Sequence, residues 1–178
     1  MSADPIEPDT KDWTWTALRA CQDCGFDASA IAPADVAVQV HELTAPWERV
    51  LAAPGVRQRP EPTTWSPLEY ACHVSEVLEV FAGRFTLIRT QADPSLPNWD
   101  QDAAAVRGGY SAQDPGAVAH QIPDRVETLQ AALAPFEGAD WERAARRSDG
   151  AEFTALSLAR YLAHDLAHHL HDVGADRA

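Results

Sequence analysis

The chain has 178 residues, enough for one domain with a sizeable core. Its 46% hydrophobic and 23% charged residues are those of an ordinary globular protein. A formal charge of −13, from 27 acidic against 14 basic residues, disfavours phosphate backbones and anionic headgroups, so neither nucleic acid nor a membrane is an expected partner.

The N-terminal stretch MSADPIEPDTKDWTW carries neither the basic nor the apolar region of a signal peptide. No run approaches the roughly 18 apolar residues that span a bilayer. A cytoplasmic protein is expected, with Cys21, Cys24 and Cys72 as reduced thiols. Residues 1–12 read as a loose polar tail. Trp13 and Trp15 then bring apolar surface that must pack on something, and Cys21-Gln-Asp-Cys24-Gly25 reads as a tight turn. Cys21 and Cys24 have knuckle spacing without a second Cys-x-x-Cys, so packed thiols, a redox pair and half of a metal knuckle all stay open.

A first helix is predicted over 33–53, with Val36, Val40, Leu43, Trp47, Val50 and Leu51 at helical spacing and Pro46 as a bend. The second, over 66–91, has the clearest start: Ser66 as cap, Pro67 in the first position and Glu69 completing a capping box. Residues 92–113 form a connection long enough to be functional or partly helical. A third helix runs over 114–136 with Pro123 inside it. After a connector with a turn at Ser148-Asp149-Gly150, the last helix runs over 154–173, from a Thr154 cap to Gly174. Four long helices and no good strand run predict an all-α, antiparallel four-helix bundle. Residues 1–32 would be an N-terminal tail and strap and 33–178 the bundle domain.

Four of the seven histidines close the chain in YLAHDLAHHLHDVGADRA. His164, His168 and His171 share one stripe of the last helix, opposite its main apolar arc, while His169 points away beside Asp165 and Asp172. The stripe is either a solvated face or part of a metal site. His164 and His168, one turn apart, can reach one ion; His171, about 10 Å along the axis from His164, cannot. A third ligand must come from another helix, from His41, His73 or His120. His73 is the strongest of these because it lies on an apolar face, where the alternative is a core histidine bonded to a carbonyl.

Two stretches carry a family resemblance. Trp65-Ser66-Pro67-Leu68-Glu69-Tyr70-Ala71-Cys72-His73-Val74 resembles the second-helix signature of the DinB/YfiT-like superfamily, and His164-Asp165-Leu166-Ala167-His168 resembles its last-helix His-x-x-x-His. The resemblance spans roughly 33–174. It implies a four-helix bundle holding a divalent ion, zinc or nickel, on three histidines, here His73, His164 and His168. The family includes thiol-dependent S-transferases, a mycothiol-dependent maleylpyruvate isomerase domain and hydrolases. The resemblance therefore implies a metal-dependent transferase that uses a low-molecular-weight thiol as cofactor. A metal-dependent hydrolase and a non-catalytic metal- or ligand-binding bundle are the alternatives. A small-molecule substrate is the expected partner, and a homodimer is one option for the assembly. Glu76, one turn from His73, is a candidate base against the plainer reading of a solvated side chain. Asp102, with Asp100, is a candidate acid–base group in the long connection. Arg146, Arg147 and Arg160 are candidate anion contacts.

Overall fold

A computed structural model describes Ile6 and residues 11–175, so the loose tail expected over 1–12 lies almost wholly outside the described residues. Six α-helices are present among them: α1 Val36–Thr44, α2 Trp47–Ala52, α3 Pro67–Thr90, α4 Gln101–Gly108, α5 Pro115–Leu133 and α6 Ala155–Asp172. The predicted first helix is split. A 3-10 turn at Pro33–Asp35 leads into α1, and Pro46, which has no N–H to continue the ladder, separates α1 from α2. Pro123 is accommodated inside α5.

The helix starts follow from their caps. Ser66 Oγ accepts from the Glu69 N–H, and the Glu69 carboxylate accepts from the Ser66 N–H at 2.8 Å. That carboxylate also takes two hydrogen bonds from the Arg59 guanidinium, at 2.9 and 2.6 Å. Burial alone would raise the Glu69 pKa; the Arg59 and Ser66 contacts outweigh it and hold the carboxyl below its ordinary value. At α6, Thr154 and Ser157 cap each other's backbone in the same way.

The expected all-α architecture needs a correction. The connectors form a three-stranded sheet of β1 Ser95–Leu96, β2 Ala144–Arg147 and β3 Glu152–Thr154. β1 pairs with β2 in parallel, and β2 pairs with β3 antiparallel through the Asp149-Gly150 turn. The sheet closes the C-terminal end of α3. The Arg143 guanidinium, just before β2, donates to the carbonyls of Ile88 and Gln91 at 2.8 and 3.0 Å, satisfying acceptors that the helix end leaves open.

One continuous core joins the helices. Trp47, Leu68, Leu78, Phe85, Ile88, Leu129, Leu158, Leu162 and Leu166 are its largest buried members. α3 packs on α5 and α6, and α1 on α6 and α5. From β1 the chain runs back along α3: Arg84 donates to the Pro97 carbonyl, Trp99 reaches His73, and the Tyr110 carbonyl lies 3.8 Å from the Cys72 sulfur. No described helix is long and apolar enough to cross a membrane.

Because Glu69 serves both the cap and Arg59, Glu69→Gln should lower the unfolding free energy by roughly 1–3 kcal/mol in urea melts at pH 7. The folded pKa of Glu69 lies below the reference value of 4.5. Its contribution is therefore fully present above pH 4.5 and is lost as pH falls through the folded pKa. The gap between the wild type and Glu69→Gln should narrow only below that pH.

Candidate functional site

Two clusters of ligand-type side chains meet on α6. His73, Asp165 and His169 form one, and Cys21, Cys24, His164 and His168 form the other. In each, one ligand atom per residue lies within 4.8 Å of all the others. The expected grouping of His73 with His164 and His168 is not what the structure brings together. His73 faces the pair one residue further along α6, Asp165 and His169, while His164 and His168 face the N-terminal segment.

The first cluster sits at the start of α3. Two turns after the Ser66 cap, His73 is 1% exposed. Trp99 stacks on its ring with centroids 5.3 Å apart, Trp65 lies at 5.1 Å, and the His169 ring stands edge-on at 4.7 Å. Both ring nitrogens of His73 and the Asp165 Oδ2 are buried with no hydrogen-bond partner among the described residues. Orphaned buried polar atoms are expensive, so their convergence requires a reason. His73 Nε2 is 3.7 Å from Asp165 Oδ2, and His169 Nε2 is 3.6 Å from Asp165 Oδ1. Those gaps are too long for good hydrogen bonds and close to the roughly 3.3 Å between ligand atoms sharing a tetrahedral ion at ~2.0–2.1 Å.

The protonation states suit such an ion. Burial lowers the His73 pKa and leaves a neutral imidazole. Burial would raise Asp165, but the neighbouring His169 and His73 outweigh it and hold the carboxyl at about 2. His169 Nδ1 is 2.9 Å from Asp172 Oδ2, a contact that orients the ring and leaves Nε2 facing Asp165.

Asp165, His169 and Asp172 line a cleft of about 690 Å³ together with Trp65, Tyr70, Trp99, Asp102 and Tyr161, and His164 and His168 line it too, while His73 is buried and not part of its lining. Asp102, in the first turn of α4, is thus placed at the cleft. Glu76 turns elsewhere: its carboxylate lies beside Gly108 and the Tyr110 phenol, whose pKa is raised by burial and by that charge. The arginines are engaged locally. Arg146 pairs with Glu152, Arg147 with Asp149, and Arg160 donates to the Ile31 carbonyl.

In the second cluster, the stripe expected as one alternative to be a solvated face is covered. His164 is 3% exposed, and its Nε2 is buried with no partner among the described residues. Trp13 lies across both rings, 5.6 Å from His164 and 5.0 Å from His168. Burial, with help from His168, pushes the His164 pKa down to about 4, and burial lowers His168 as well. Cys21 Sγ stands 3.9 Å from His168 Nδ1. Burial pushes the Cys24 thiol up to about 11, against a hydrogen bond from the Phe26 backbone.

Sequence reasoning missed Asp165 and His169 as partners of His73. The available signal was a second i, i+4 pair, offset by one residue from the more visible His-x-x-x-His.

The comparisons agree with this architecture. No curated protein matches the chain by sequence. Among solved structures, YfiT from Bacillus subtilis, described as a probable metal-dependent hydrolase with an unusual four-helix bundle topology, superposes with a TM-score of 0.69 at 15% identity. That match covers 82% of this chain and 89% of YfiT. The mycothiol-dependent maleylpyruvate isomerase matches with a TM-score of 0.64 at 13% identity, over 83% of this chain and 63% of the isomerase. At those identities the likeness is one of fold. The DinB superfamily model matches residues 37–173, from α1 to the end of α6, and the chain belongs to that superfamily.

Proposed function

We propose that the protein is a divalent-metal-dependent enzyme acting on a small molecule, with His73, Asp165 and His169 as the metal ligands. The observation that carries this reading is the convergence of His73 and Asp165, whose buried ligand atoms have no hydrogen-bond partner among the described residues, with His169 beside a cleft that Asp165 and His169 line. No fourth His, Cys, Asp or Glu joins the three among the described residues. A three-ligand set leaves room for an exogenous group, the arrangement of catalytic rather than structural sites. The N₂O donor set suits zinc or nickel.

When bound, such an ion supplies Lewis acidity, which lowers the pKa of a water or thiol and polarises a carbonyl. The chain's residues do the rest. Asp172 holds His169 in one orientation, and Asp165 brings the negative charge that balances the cation. Trp65 and Trp99 pack on the His73 ring and shield it from water. Asp102 faces the cleft, where it can take a proton from an entering nucleophile.

The reaction is thiol transfer to an electrophilic substrate, with the thiol supplied by a second molecule. The chain's own cysteines are placed for other duties: Cys72 lies against the Tyr110 carbonyl, and Cys21 and Cys24 belong to the other cluster. The mycothiol dependence of the isomerase that shares this fold supports this reading, and the description of YfiT supports hydrolysis as the second.

His73→Ala and His169→Ala should each remove about one equivalent of metal per chain, measured by elemental analysis of untagged protein. Metal content unchanged in both variants would overturn the assignment. Assays with mycothiol and other low-molecular-weight thiols should show metal-dependent thiol consumption, falling at least ~100-fold in His73→Ala. Turnover that proceeds without any thiol would select hydrolysis. In the thiol assay, Asp102→Asn should cut kcat by about 10²-fold while leaving metal content intact.

A further inference from the structure

The second cluster has no task in the chemistry above. We propose that Cys21, Cys24, His164 and His168 form a separate, closed zinc site that fastens the N-terminal segment to α6.

Four ligand atoms, two sulfurs and two nitrogens, lie within 4.8 Å of one another. This is the S₂N₂ set that selects tetrahedral zinc, and four protein ligands leave no position for substrate. Cys21 Sγ and His168 Nδ1 are 3.9 Å apart, against about 3.6 Å for a sulfur and a nitrogen sharing one zinc ion. The His168 ring is oriented as a ligand would be, with Nδ1 toward the sulfur and Nε2 3.7 Å from Asp172 Oδ1. His164, nine-tenths and more buried, carries an unpartnered nitrogen in the same place.

The cysteines are presented by a knuckle. The Gly25 N–H donates to the Cys21 carbonyl and the Cys21 N–H to the Phe26 carbonyl, both at 2.9 Å. Gly25 itself has φ +77°, which a side chain would strain. The loop is thus folded so that both thiols face α6, and Trp13 roofs the two imidazoles. Binding converts two thiols to thiolates, so two protons leave as one zinc ion enters and the filled site is neutral. The site shares no ligand with the His73 cluster, so it stands or falls independently of the proposed reaction.

Cobalt is the probe. Untagged protein stripped of metal under reducing conditions and reloaded with Co²⁺ should show sulfur-to-cobalt charge transfer in the near ultraviolet and the intense visible bands of a tetrahedral ion. His73→Ala should keep both signals. Cys21→Ser/Cys24→Ser should lose them, together with one equivalent of zinc per chain, and should lose protection from trypsin at Arg19. Cobalt bound without charge transfer would overturn the proposal, as would unchanged zinc content in the cysteine variant. So would a Cys21–Cys24 disulfide in freshly purified protein that takes up no cobalt after reduction. The wild-type spectrum decides the matter even if the double variant does not fold.

Discussion

An α-helix turns by about 100° per residue, and the site region of this protein depends on that rotation. α6 carries two pairs of ligand-type residues at i and i+4, His164 with His168 and Asp165 with His169. They are out of phase by one residue. One pair therefore looks at the N-terminal segment and the other at α3, from the same turn of the same helix. A single carboxylate couples them: Asp172 lies 3.7 Å from His168 through Oδ1 and 2.9 Å from His169 through Oδ2.

The opposing residue must be held equally well, and α3 is anchored at both ends. The Ser66–Glu69–Arg59 network fixes where the helix begins, which sets His73 two turns in. Arg143 gathers the last carbonyls and ties them to the small sheet. Between the two anchors, the returning connection lays Trp99 on His73 and the Tyr110 carbonyl on Cys72. Aromatic contacts of this kind add modestly to the burial energy, at about 0.5–1.5 kcal/mol each. Their larger effect is steric, because they leave the imidazole of His73 one direction in which to find a polar partner.

The long helices were legible because their starts are chemically explicit. Ser66-Pro67 with Glu69, Asp114-Pro115 and Thr154 each satisfy the N–H groups that a helix start exposes. The sheet was not, since Ala-Ala-Arg-Arg and Glu-Phe-Thr are too short and too poor in β-branched residues to register as strands. At the site, residue types and helices were readable but the phase was not. His-x-x-x-His and Asp-x-x-x-His overlap, and helical periodicity cannot say which pair meets His73. That is decided by the segment from Trp13 to Cys24, which occupies one face of α6 and leaves α3 the other. Cys21 and Cys24 lack two partners by knuckle logic, His164 and His168 lack a third ligand from another element, and the fold brings the two pairs together.

Two sites written on one turn of helix also share a fate in sequence change. Inserting or deleting a single residue before His164 within α6 would swing all four ligand-type side chains by about 100° together and misalign both faces at once. Loops elsewhere, such as the stretch after α2, can lengthen at small entropic cost. Substitution at the other positions of α6 leaves that phase intact and a change of length before His164 does not, so the spacing up to Asp172 constrains the arrangement as much as the four ligand-type side chains themselves.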